Sequence, residues 1–430
     1  MLRACLTPVL FTSLLSAYPP ADNPSKDWGQ WRGPNRDGIC TETGLLKEWP
    51  KDGPKLLWNA KDANGKKTNV GTGYATVAIA GGKIYTLGDR DGKGNIICLD
   101  EATGKVLWVS PFSPTYGDGG PRCTPTIDGK RIYGLSPHGI LVCADTGDGH
   151  IFWTKDLKAD FSGRMMSGWN YSESPLVDGE KLVCTPGGKK AAMIALNKET
   201  GAVIWRCESP TDSGAGYASI VIAEVGSVRQ YITLLGRELG LIGVDAKSGK
   251  FLWSYNKAAN GTANIPTAIV KDDLVFTSTG YDAGAAVLRL VPDGKGGIDA
   301  KEVHFFKGKL LQNHHGGTVL VGDYIYGGHG WNDGKPFCLE LKTGKLKWGP
   351  ERGAGNGSAN VLYADGNLYF RYEDNEMALV EATPEGYNLR SSFHLPKGTS
   401  NPGRQHMVIH DGKLYIRAND QLYCYDIKQK

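Results

Sequence analysis

Apolar and polar residues alternate with period two in short runs broken by Gly-centred turns. Ile97 and Leu99 before one such turn, and Val106 and Trp108 after it, predict two strands joined by Asp100-Glu-Ala-Thr-Gly104. The Gly suits a positive φ, and the Asp side chain suits capping of the turn N–H groups. The pattern of an acidic or amide residue, a Gly four positions on and a Trp four further on recurs. It is found at Asp100/Gly104/Trp108, Asp145/Gly149/Trp153, Asn197/Gly201/Trp205, Asp245/Gly249/Trp253 and Glu340/Gly344/Trp348. A second hairpin precedes such elements, at Thr124 to Tyr133 and Ser174 to Val183, and again at Val408 to Tyr415. Four antiparallel strands, A to D, thus fill about 48 residues, and units of roughly 40 to 50 residues with four strands are propeller blades.

The Trp slots fall at Trp58, Trp108, Trp153, Trp205, Trp253 and Trp348, with a double gap after Trp253. A diverged unit fills that gap from Ile265 to Phe306, and another runs from Asn360 to Phe393. The last unit, His406 to Ile427, supplies strands A to C and stops, while Lys55-Leu-Leu-Trp58 offers the missing outer strand. The expectation is an all-β, eight-bladed propeller of four-stranded antiparallel blades. Pairing of the N-terminal strand with the C-terminal blade would close it and remove exposed sheet edges.

Composition agrees with a turn-rich globular chain. Of 430 residues 59 are Gly, 40% are hydrophobic and 22% charged, and the formal net charge is +4, too weak a bias to argue for nucleic acid. Residues 1–17, with Arg3, an apolar stretch and Leu15-Ser-Ala17, read as a secretory signal peptide too short to span a bilayer. Export to the periplasm or the extracellular space follows. Residues 18–52 are then a leader packed on the propeller or an arm that binds a partner, and residues 53–430 are the propeller. Cys98, Cys143, Cys338 and Cys424 share one strand C position that elsewhere holds Ala195, Gly243 or Ala378, which marks a small-volume slot rather than a disulfide framework. Cys40, Cys123, Cys184 and Cys207 stay open. The Asp89-Arg-Asp-Gly92 run reads as a hairpin turn.

The Asp-x-x-Thr-Gly-Lys-x-x-Trp element at 100–108, with close variants at 245–253, where Ser replaces Thr, and at 340–348, where Glu replaces Asp, resembles the signature of the PQQ-repeat propellers, named for pyrroloquinoline quinone. The resemblance covers about residues 53 to 430, and Asp27-Trp-Gly-Gln-Trp-Arg-Gly-Pro-Asn-Arg-Asp-Gly38 is similar to the opening of secreted bacterial members. It implies the fold, and it leaves the chemistry divided. The family includes non-enzymatic scaffolds of the outer-membrane assembly type and quinoprotein dehydrogenases that use PQQ with Ca²⁺. The dehydrogenases commonly carry adjacent cysteines over the cofactor and insertions that build the pocket, and this chain has no Cys-Cys. Glu173 and Asn264 would be its positional candidates for calcium, and Trp169 for stacking on a quinone.

Motifs for a Ser nucleophile elbow, a His-Glu-x-x-His zinc site, a Cys-x-x-Cys pair, a Walker loop and a dinucleotide loop are all missing from the sequence. What remains is position. Loops from D to A and from B to C share the channel mouth of a propeller. They carry Arg122, Trp169, Asn170, Glu173, Tyr217, Asn264, His314, His315, Asn356, Arg404 and His406, with His329 and Trp331 from a B-to-C loop. Tyr74 lies in a D-to-A segment as well. Of eleven tryptophans, Trp169 and Trp331 alone lie outside both the repeat slots and the leader, and both belong to this face. The histidines have no metal-ligand spacing. The expectation is a binding or scaffold module for an envelope protein or a glycan at the channel mouth or rim. It has no transmembrane segment, and a monomer suffices for it. The alternative is a PQQ- and calcium-dependent dehydrogenase of alcohols or sugars.

Overall fold

The computed structural model describes residues 27–60 and 70–430, so the signal-peptide segment lies outside the described residues. Eight antiparallel sheets follow one another along the chain, at 78–114, 126–156, 176–207, 221–255, 269–306, 318–348, 359–394 and 408–426. They are blades 1 to 8. Within each, strands A to D run outward in sequence order, as Ala78–Ala80, Lys83–Arg90, Lys93–Asp100 and Val106–Pro114 do in blade 1. The Asp91-Gly92 pair, both at positive φ, forms the hairpin turn expected there. Blade 8 supplies A to C, and Lys55–Asn59 completes it as the outer strand, with Lys55 opposite Asp426 and Trp58 opposite Cys424. No helix among the described residues is long and apolar enough to cross a membrane.

The repeat residues act as a unit. The turn acid caps the turn: Asp100 Oδ1 accepts from the Thr103 N–H at 2.9 Å, and Asp245 Oδ1 from the Ser248 N–H at 2.7 Å. Each repeat Trp sits in register with the small strand C slot, as Trp108 does with Cys98, Trp153 with Cys143, Trp205 with Ala195 and Trp253 with Gly243. The crowding explains why the slot stays small. A Cβ at Gly243 would lie 2.2 Å from the Trp253 indole. At four joints the turn Gly of the following blade lies on that same ring: a Cβ would come within 2.6 Å of Trp58 at Gly104, and within 2.6 Å of Trp205 at Gly249, and Gly149 and Gly201 meet Trp108 and Trp153 likewise. Blade 5, where the Trp is missing, puts His304 beneath Gly344 in the same way. The motif is therefore a blade-to-blade joint, and apolar clusters span it, as where Val183, Ala195 and Trp205 of blade 3 meet Tyr231 and Ile242 of blade 4. All eight cysteines of the described residues are free and buried, Cys123 and Cys184 among them.

The leader departs from a simple peripheral strap. Trp28 bridges to Ile79 of blade 1, and the Gly29 carbonyl accepts from Ile127 of blade 2 at 2.7 Å. Arg36 donates to the Ser174 carbonyl before blade 3 at 2.6 Å, and the Trp31 indole N–H to Thr267 Oγ1 before blade 5 at 3.0 Å. Arg32 donates to the Thr318 carbonyl of blade 6, and Ile39–Cys40 adds a fifth, parallel strand to blade 7. These partners are inner strands and their approaches, so the leader crosses the central channel. A second tie closes the ring: Arg417 of blade 8, 1% exposed, donates to the carbonyls of Val70, Gly71, Ala75 and Leu87 beside and within blade 1.

Candidate functional site at the channel mouth

The loops expected to share one face do so, around a cavity of about 350 Å³. Because the leader crosses the channel, Trp31 and Arg32 form part of its lining, and a separate cavity at the other end is lined by Pro34, Arg36 and the Asp178-Gly179 turn. The mouth is thus blind. Of the thirteen candidate residues, Arg122, Trp169, Tyr217, His314, His315, Trp331, Arg404 and His406 line it.

The other five lie elsewhere, and their partners explain why. Glu173 is 1% exposed beneath the wall, where one carboxylate oxygen accepts from the Thr185 N–H and the other has no partner. Asn264 is fully buried and braces its own loop, accepting from the Asn260 N–H at 2.9 Å and donating to the Leu235 carbonyl at 2.8 Å. His329 is buried, with Nδ1 accepting from the Gln312 N–H at 3.2 Å. Asn356 is exposed and bound to Asp374 at 2.8 Å, and the Asn170 carbonyl accepts from Ser172 Oγ at 3.3 Å. Sequence reasoning missed Trp31 and Arg32, which only the leader's path brings here, and also Tyr281, Asn332 and Asp118.

Two sets of rings flank the opening. Trp169, 40% exposed, packs on Tyr217 with centroids 6.2 Å apart. Trp331, 52% exposed, packs on Tyr281 at 5.3 Å, and Tyr281 meets the His314 ring edge-on at 5.2 Å. Deeper, Trp31 contacts His406 at 4.5 Å. Arg122 lies 5.0 Å over the Tyr116 ring and 5.7 Å from that of Tyr74, in the range of cation–π attraction. Its Nη2 is 3.1 Å from Asp118, and Arg404 Nε is 2.8 Å from Glu373.

Burial and this cationic surrounding keep the histidines neutral. Burial, with Arg404 nearby, lowers His314 to about 4, and His406 falls to about 3 through burial and the Arg32 charge. His315 is pushed well below its ordinary value, first by burial and then by His314, Arg404 and Arg122. At neutral pH these rings are uncharged hydrogen-bonding groups.

The residues do not fit a calcium-dependent quinone centre. Calcium takes six to eight oxygen ligands, in general from carboxylates and carbonyls. Here Glu173 and Asn264 are buried outside the cavity and engaged as described, and the carboxylate on its wall, Asp118, is held by Arg122. Among the described residues no group of three or more His, Cys, Asp or Glu could hold a metal ion.

Similar proteins place the chain by fold and family. An outer membrane protein assembly factor BamB from Shewanella oneidensis is 27% identical over 343 residues, covering 74% of this chain and 78% of that protein. BamB from Moraxella catarrhalis superposes with a TM-score of 0.58 at 12% identity, over 87% of this chain and 98% of that one. The quinohemoprotein alcohol dehydrogenase from Comamonas testosteroni gives 0.60 at 14% identity, over 95% and 81%, a likeness that shows the fold alone. With the eight blades, the repeat joint and a family model matching residues 92–350, the chain belongs to the PQQ-like propeller family described as outer membrane protein assembly factor BamB.

Proposed function

We propose that this chain is an exported binding scaffold, periplasmic or extracellular, that receives an envelope protein or a glycan at its channel mouth. The observation that carries this reading is the blind, ring-flanked cavity of about 350 Å³, part of whose lining is the chain's own leader. A concave site with aromatic walls and a few polar groups suits capture of a ligand end. The assembly-factor relatives are consistent with a scaffold role and an envelope location.

The test compares the mature wild-type protein with Trp331→Ala and Trp169→Ala in pull-downs from envelope extracts and on a glycan array. A ligand retained by wild type and lost by either variant, with melting unchanged, supports the mouth as the site. Ligands bound equally by all three proteins would move the site to the rim and refute this placement.

A further inference from the structure

Three arginines, Arg32, Arg122 and Arg404, line the cavity; Arg122 is paired with Asp118 and Arg404 with Glu373, while Arg32 donates only to the carbonyls of Asp37 and Thr318 and makes no salt bridge among the described residues. Arg32 is 4% exposed, and its Nε and Nη1 have no hydrogen-bond partner although both are buried. A buried guanidinium left partly unsatisfied costs free energy unless an acceptor or a counter-charge comes to it. Arg404 uses only Nε toward Glu373, which leaves the flat fork of its two Nη atoms for a bidentate acceptor.

The rings say what carries the anion. Trp331 and Trp169 present half-exposed indoles at the opening, each backed by a tyrosine, and such flat apolar faces suit the C–H face of a sugar ring. A blind cavity takes a chain end, not a chain passing through.

We propose that the channel mouth is a subsite for the terminal residue of an acidic oligosaccharide, with the two free Nη atoms of Arg404 holding its carboxylate or sulfate and Trp331 stacking on its ring. This rests on the binding-scaffold reading above and adds the ligand class to it. Arg32 supplies fixed positive charge from below.

Fluorescence titration of the full mature chain tests it with four probes: trigalacturonate, its trimethyl ester, a sulfated galactan tetrasaccharide and hexaglutamate. One or both acidic sugars should bind, and comparison of the two tells whether carboxylate or sulfate is preferred. The uncharged ester should bind roughly tenfold more weakly than trigalacturonate if that acid is the ligand, the loss expected for one charge-assisted contact. Arg404→Gln should weaken the acidic sugar roughly tenfold and leave the ester unchanged. Trp331→Ala, at an exposed position, should weaken both charged and uncharged sugars without lowering the melting temperature. The assignment is overturned if neither acidic sugar binds, if trigalacturonate is the preferred acid and its ester binds as tightly, or if hexaglutamate binds as well as the sugars. In those cases a protein or neutral glycan lost in Trp331→Ala would leave the scaffold reading standing. Absence of any mouth-dependent ligand would remove both.

Discussion

Glu173→Gln separates the cost of a buried carboxylate from everything else in the wall. Glu173 is 1% exposed, accepts from the Thr185 N–H through one oxygen and leaves the other without a partner. Burial raises its carboxyl to about 7 from an ordinary 4.5, the Thr185 hydrogen bonds and the Arg36 charge opposing that rise only in part. Between these two values the folded chain holds a proton that the unfolded chain has released. The destabilisation is therefore absent below pH 4.5, grows as pH rises through the window and is complete above pH 7. At 1.36 kcal/mol per unit it amounts to about 3 kcal/mol. Glutamine keeps an acceptor for Thr185 and cannot ionise. Urea unfolding followed by tryptophan fluorescence should find Glu173→Gln more stable than wild type by up to about 3 kcal/mol at pH 8, with the difference vanishing toward pH 4.5. The lowered histidines act in the opposite direction, since the unfolded chain protonates first and stability rises with pH up to about 6.5. They are common to both proteins and cancel in the difference. A difference independent of pH, or a variant less stable than wild type at pH 8, would show Glu173 to be ionised and satisfied by Arg36, and the reasoning would fail.

Three further outcomes follow from the joints of the fold. Trp253→Ala removes a 6% exposed indole whose N–H donates to Gln230 at 2.7 Å and should cost roughly 3 to 5 kcal/mol, whereas Trp169→Ala should leave chemical denaturation nearly unchanged. Equal losses would make Trp169 a core residue. Gly249→Ala combines a φ of +73° with a Cβ 2.6 Å from the Trp205 ring, and should destabilise by roughly 1 to 3 kcal/mol in the same assay; a neutral result would mean that the blade joint has slack. Arg417→Met leaves carbonyls of Val70, Gly71, Ala75 and Leu87 without their donor and should cost roughly 3 to 5 kcal/mol. Hydrogen exchange should then quicken first at the junction of blades 8 and 1, and unchanged exchange there would refute its role as a second closure.

The repeat was legible because its determinants lie within nine residues of one another. Alternation, the turn acid, the turn Gly and the Trp each report on local backbone geometry, so blade number, the sharing of blade 8 between the chain ends and the small strand C slot could all be read along the chain. Position on the loops was legible too, and it placed Trp169, Trp331 and both arginines at the mouth. The direction of each loop side chain was not. Nothing periodic distinguishes Glu173, turned into the wall toward Thr185, from His315, which lines the cavity from another D-to-A loop. That choice depends on which backbone groups of neighbouring loops need a partner, and those neighbours come from other blades. The leader shows the same limit more strongly: Trp31 bonds a residue 236 positions away, and Arg32 one 286 positions away. The sequence by itself determined the blades and their order, because turns and strand pairs are local. Only the closed ring decided that the leader crosses the channel and that the mouth is blind and lined in part by Trp31 and Arg32, because channel and floor exist only once eight blades stand around them.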